Sequence, residues 1–219
     1  MRNKSLFLLI VVAAAVAAAA APFEKEIRAF EAADKDHPPP NNAVLFIGSS
    51  SIRLWDTLAK DFPDVPVINR GFGGSQVADS VRYADRIAIP YRPRMIVMYA
   101  GDNDIAAGKS PAQVRDDFRA FVEMVHAALP DVPVVYLSIK PSLARWKLVE
   151  PIKEANRLIE EYAKQTKHVK YVDVFTPMLT KEGTPRKELF REDGLHLNRK
   201  GYELLASILT PIVTPVRKQ

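Results

Sequence analysis

The residues best suited to chemistry are a serine cluster early in the chain and an aspartate–histidine pair close to its end. Gly48-Ser49-Ser50-Ser51 follows the apolar run Ala43 to Ile47, and Asp193-Gly194-Leu195-His196 ends just before Asn198. A hydroxyl presented where a strand turns into a helix can attack a carbonyl once an imidazole takes its proton, and free N–H groups at the helix start can hold the anion that forms. An aspartate three residues before a histidine can reach the imidazole and orient it. Each feature alone has a plainer reading, the serines as helix caps and the histidine as a surface residue behind a helix-leading acid.

Two further segments lie between them. Gly71-Phe72-Gly73-Gly74-Ser75 has three glycines in four residues, which lets the backbone approach a ligand or take positive φ. It fails as a dinucleotide fingerprint because Gln76 stands where the third glycine is required. Gly101-Asp102-Asn103-Asp104 offers an amide donor at Asn103 and two carboxylates, which suit either a cation or an ordinary polar turn. Gly108-Lys109-Ser110 imitates the tail of a phosphate loop, but Asn103 occupies the place of its first glycine. His37, His126 and His168 are scattered over a proline-rich lead-in, a helix and a loop, and the chain has no cysteine, so neither a metal site nor a disulfide is expected.

The elements that must gather these residues follow from apolar periodicity. Ala43 to Ile47, Val65 to Ile68, Met95 to Ala100, Val132 to Ile139 and Val169 to Val172 are short β-branched runs of the kind that form buried parallel strands. Helical patterns cover Phe23 to Ala33, Ser51 to Lys60, Gln76 to Ile87, Pro111 to Leu129, Leu148 to Thr166 and Asn198 to Val213. Ser110 before Pro111 and Asn198 supply helix caps. Alternating strand and helix predict a doubly wound α/β sheet, whose functional loops sit at the carboxyl ends of the strands. All four segments occupy such strand-end or pre-helix positions.

In that order the segments resemble the SGNH, or GDSL-like, hydrolases, whose four blocks are G-D-S, a glycine before a short polar residue, G-x-N-D and D-x-x-H. The matches are Gly48-Ser49-Ser50, Gly74-Ser75, Gly101-Asp102-Asn103-Asp104 and Asp193-Gly194-Leu195-His196. Ser49 replaces the usual aspartate of the first block, and Ser75 stands where aspartate is frequent in the second. The resemblance implies a three-layer α/β/α sandwich around a five-stranded parallel sheet in flavodoxin-like order. It also implies an esterase that needs no cofactor, with Ser50 as nucleophile, His196 as general base and Asp193 as its support. The oxyanion would be held by the N–H groups of Ser50 and Gly74 and by the Asn103 amide. An α/β-hydrolase elbow is excluded because Ile52 stands where its second glycine belongs.

For substrate, the resemblance allows O-acetylated sugars, short-chain esters and lysophospholipids, and the sequence shows no long hydrophobic lid, so short acyl or acetyl groups on polar alcohols or carbohydrates are expected, with a lysophospholipid as the alternative. A non-catalytic glycan- or ligand-binding module on the same fold is the competing reading. Ser49, Asp104, Trp146 and Phe190 are the candidate pocket residues.

The 219 residues, 47% hydrophobic and 26% charged, suit one globular domain. Arg2 and Lys4 precede an uncharged run from Leu6 to Ala21 that is shorter than the roughly 20 residues of a membrane span and ends in alanines. Residues 1–21 are therefore expected to be a signal peptide, 22–42 an N-terminal helix with a proline-rich lead-in, and 43–219 the hydrolase domain. The expected destination is the periplasm or the exterior, with anchoring by an uncleaved leader as the alternative. The formal charge of +5, with its bases scattered, gives no footprint for nucleic acid. The expected partner is a small-molecule or glycan ester, with no stable membrane insertion once the leader is cut, and the sequence leaves the oligomeric state open.

Overall fold

The computed structural model describes residues 21–214, so the expected leader lies outside the described residues except for Ala21. Five strands, β1 (Val44–Gly48), β2 (Val67–Gly71), β3 (Met95–Tyr99), β4 (Val134–Leu137) and β5 (Val169–Val172), form one sheet. All neighbours are parallel and the order is β2-β1-β3-β4-β5, the flavodoxin-like arrangement. The order reverses at β1, so the carboxyl ends of β1 and β3 flank the crevice where such sheets bind ligands.

Side-chain alternation divides the core into two layers. Leu45, Ile47, Ile96, Met98, Val134 and Tyr136 face α1 (Glu24–Asp36), α4 (Val77–Ile87), α6 (Pro111–Ala128) and α7 (Val149–Gln165). Val44, Phe46, Val97, Tyr99, Val135 and Leu137 face α2 (Ser50–Arg53), α3 (Leu58–Asp61) and α8 (Arg199–Val213). Covering both faces is what makes the central strands continuously apolar. Among the described residues no helix is long and apolar enough to cross a membrane.

The helix starts follow the local chemistry. Ser110 Oγ accepts from Gln113 N at 3.2 Å while Gln113 Oε1 accepts from Ser110 N at 2.8 Å, a reciprocal cap with Pro111 at the first helical position. Asn198 Oδ1 accepts from Gly201 N at 3.2 Å and so caps α8.

Three expectations are corrected. The helix expected over Ser51 to Lys60 is the two short helices α2 and α3, broken around Trp55. Trp55 turns into the core against Phe46, Phe62 and Tyr202, and its indole N–H donates to Asp61 at 2.7 Å. The second strand lies later than Val65 to Ile68, because Pro66 brings no N–H to the ladder and the polar Asn69 and Arg70 belong to it. Arg70 tolerates burial because its guanidinium pairs with Asp34 and packs over the rings of Phe30 and Tyr91. Finally, the Gly101 segment is not a plain turn but opens α5 (Asp102–Ala106).

Candidate active site

The turn after β1 is shaped by Gly48. Its φ of +132° is one that L side chains rarely adopt, and a Cβ there would lie 1.9 Å from Tyr99 O. This close approach lets Ser49 N donate to Tyr99 O at 2.9 Å, and Ser49 O then accepts from Ile52 N and Arg53 N to start α2. The turn sorts the three serines, since Ser49 and Ser51 are 0% and 3% exposed while Ser50 is half-buried at the head of α2.

Ser50 Oγ lies 3.1 Å from His196 Nε2, across 146 residues of chain. The other imidazole nitrogen, Nδ1, is 2.6 Å from Asp193 Oδ2. Asp193 Oδ1 accepts from Leu195 N at 2.8 Å and His196 N at 2.9 Å, so one carboxylate fixes both the ring and the backbone that carries it. Burial pushes the Asp193 carboxyl up, but the bonds from the His196 ring and from the His196 and Leu195 N–H groups outweigh it and hold the pKa at about 2. The loop is anchored by Arg191 N donating to His196 O and by Ala144 N donating to Gly194 O. An ionised carboxylate makes Nδ1 the protonated nitrogen, which leaves the Nε2 lone pair facing the Ser50 hydroxyl.

Three amide donors lie on the turns after β1, β2 and β3, at the same end of the sheet as Ser50. The N–H groups of Ser50 and Gly74 donate to no protein group among the described residues. Gly74 has φ +84° in the glycine turn after β2 and is exposed, and Ser75 Oγ donates to Phe72 O at 2.8 Å without obstructing it. Asn103, in the first turn of α5, donates from Nδ2 to Ser75 O at 3.0 Å, which ties α5 to the glycine turn and leaves its second amide hydrogen without that partner. The set has the parts of an acyl-transfer site: a hydroxyl, an oriented base and N–H donors on the turns after β1, β2 and β3. Among the described residues no group of three or more His, Cys, Asp or Glu could hold a metal ion.

A family model described as the GDSL-like lipase/acylhydrolase family matches residues 48–204, most of the chain and all four segments. The chain belongs to the GDSL-like lipase/acylhydrolase family. It is therefore a hydrolase by family, with the family's five-stranded α/β fold. A Streptococcus pneumonia protein described as a platelet activating factor superposes with a TM-score of 0.77 at 24% identity, over 87% of this chain and 92% of its own. A GDSL-like lipase from Bacteroides thetaiotaomicron gives 0.73 at 20% identity over 85% and 96%. A carbohydrate esterase of family 3 from Talaromyces cellulolyticus gives 0.61 at 20% over 77% and 94%. At these identities the likeness is one of fold. No curated protein matches the sequence significantly.

The GDSL-like chain departs from expectation at three of the four pocket candidates. Ser49 lines no pocket, because it is 0% exposed and its Oγ has no hydrogen-bond partner among the described residues. Asp104 is likewise 0% exposed; it accepts from Val77 N and from Lys109 at 3.0 Å, and so holds α4 to α5 instead of facing substrate. Phe190 is 5% exposed and packs behind the histidine loop, in a bridge with Leu197. Trp146, by contrast, is half-buried on the α4–α6–α7 layer and directly follows Arg145 in the chain. What sequence patterning did not single out is a buried charged group around Asp102. Its carboxylate lies 3.2 Å from Arg145 and 3.7 Å from Lys140, and Arg145 also donates to Asn103 Oδ1 at 3.0 Å.

Proposed function

We propose that this protein hydrolyses carboxylic esters through an acyl-enzyme, removing short acyl groups from polar alcohols or carbohydrates. The observation that carries the reading is the 3.1 Å approach of Ser50 Oγ to His196 Nε2, with Nδ1 of the same ring bound to Asp193 at 2.6 Å. Ser50 Oγ attacks the ester carbonyl while Nε2 takes its proton, and the imidazolium so formed is stabilised by Asp193. His196 then returns the proton to the departing alkoxide. Water, deprotonated by the same nitrogen, releases the acid. The oxyanion is held by the N–H groups of Ser50 and Gly74 and the Asn103 amide, donors each typically worth roughly 2.7 to 4 kcal/mol to a transition state.

The preference for small acyl groups rests on the surroundings of the hydroxyl. Asn103, Arg145 and Asp102 make that side polar, whereas a long acyl chain needs a continuous apolar channel. Grooves of about 420 and 490 Å³ are lined by residues of α7 and β5 and by residues around Phe62 to Val67, and none of Ser50, Asp193 and His196 lines either. A fungal carbohydrate esterase among the structural neighbours agrees with this choice. The alanine-rich leader supports export to the periplasm or exterior.

The test is a panel of acetyl, butyryl and longer nitrophenyl esters, with acetylated xylan and O-acetylated sialic acid added. Turnover should be greatest on acetyl esters and fall by about 10⁵-fold or more in Ser50→Ala, which should also lose labelling by a fluorophosphonate. Retained turnover in Ser50→Ala would remove Ser50 as nucleophile. Dominant cleavage of long chains would overturn the substrate assignment alone.

A further inference from the structure

Asn103 has its carboxamide fixed at both ends. Ser75 O has only lone pairs to offer, so it must face Nδ2; Arg145 has only donors, so it must face Oδ1. The two partners come from the turn after β2 and the loop after β4, 28 and 42 residues away. Together they exclude the flipped amide.

Arg145 is itself held from behind. Its Nη1 is 3.2 Å from Asp102 Oδ2 but off line for a hydrogen bond, so that contact is Coulombic. Lys140 Nζ stands 3.7 Å from the same oxygen, above the rings of Tyr99 and Phe190. Asp102 and Lys140 side chains are 6% and 2% exposed, and Asp102 Oδ1 accepts from Asn103 N at 3.1 Å. A buried ion pair of this kind gives little net stability and is better attested as a device for fixing one arrangement. What it fixes here is the guanidinium that touches the Asn103 carbonyl oxygen.

We propose that Arg145 is a positioning residue for catalysis, which locks the Asn103 amide with Nδ2 toward the oxyanion and strengthens it as a donor, with Asp102 holding Arg145 in place and Lys140 set against the same Asp102 oxygen. The proposal rests on the ester-hydrolase reading of the site. A cation on the carbonyl oxygen draws charge from the amide and makes its N–H groups more acidic, the ordinary cooperativity of linked hydrogen bonds. Arg145 acts through Asn103 and need not touch the substrate.

A kinetic cycle on an acetyl ester separates this from a merely structural ion pair. Asn103→Ala should lower kcat about 10²- to 10³-fold. Arg145→Ala should lower kcat about tenfold or more with KM within about threefold, the mark of a contact that matters only in the transition state. In the double variant kcat should match Asn103→Ala within about threefold, because Arg145 has nothing left to position. Multiplying losses, or a loss confined to KM, would overturn the proposal. Arg145→Lys, which keeps a charge opposite Asp102 but loses the planar fork, is run in the same cycle and decides the matter if the alanine variant does not fold. If the wild-type chain turns over no ester, the ester reading falls and this proposal with it. Turnover with an additive cycle removes the role of Arg145 alone.

Discussion

The two sides of the site are built on opposite plans. On one side Asp193 and His196, three residues apart, bind each other in an open loop where their side chains are 47% and 28% exposed. On the other, Asn103 is held by Ser75 and Arg145, and behind them lie Asp102 and Lys140, almost wholly out of water. The first side needs only a short loop and one carboxylate, because an imidazole is oriented by a single strong bond at the right nitrogen. The second needs several elements at once, because an amide must be fixed in plane and in direction without a strong charge of its own. The proposed proton-transfer group therefore sits on a local motif, while the proposed oxyanion donor depends on segments after β2 and β4 that only the folded sheet brings together.

The sharpest break of this contrast is Asp193→Asn. The amide oxygen can still accept from the N–H groups of Leu195 and His196, so the loop keeps its shape, but the NH₂ now faces Nδ1 and compels that nitrogen to accept. Nε2 then carries the proton and cannot take one from Ser50. The expected loss is about 10³- to 10⁴-fold in kcat, with melting temperature nearly unchanged. A loss below tenfold, measured on an acetyl ester, would show that the exposed side needs no carboxylate.

The pH profile sharpens the same side with a smaller effect. Asp193 is held at about 2, below its ordinary 3.8, so it stays ionised down to strongly acidic solution. A depressed carboxyl contributes stability that is present above its unfolded value and lost as pH falls from about 4 toward about 2. With the side chain about half exposed that contribution is small. The acid limb of kcat/KM should thus show no break from this carboxylate between pH 5 and 3. A break in that interval would mean that Asp193 loses its charge there and is not held at about 2.

The contrast also explains which parts of the site were legible in the sequence. Ser50, Gly74, Asn103, Asp193 and His196 each sit in a short signature at a strand end or just before a helix, and the apolar runs located all five strands, the second of them two residues too early. Gln76 and Asn103 disposed of two nucleotide motifs by a single residue each. Arg145 and Lys140 gave no such sign, since a basic residue in a loop after β4 reads as solvated surface until the fold brings Asp102 beneath it. Asp104 and Phe190 differ for the complementary reason: residues in the segments after the strands are expected to face the crevice, whereas Lys109 pairs with Asp104 and the bridge to Leu197 turns Phe190 inward. Arg70 in β2 escaped because periodicity counts it as polar, and its partners Asp34 and Tyr91 lie far away in sequence.

The smallest effect is expected at Ser49, the residue that stands in place of the family's aspartate. A buried hydroxyl without a partner carries a desolvation cost that no bond offsets, so Ser49→Ala should leave stability unchanged or raise it by up to about 1 kcal/mol. Its backbone, which does the shaping through the bonds to Tyr99 O and from Ile52 and Arg53, is untouched by the substitution. Turnover of an acetyl ester should stay within about threefold of wild type, because neither the imidazole nor the amide of Asn103 reaches this oxygen. Thermal unfolding and kcat measured together decide the point. A tenfold fall in kcat at unchanged stability would draw Ser49 into the buried polar side of the site, and that side would then extend beneath the nucleophile turn itself.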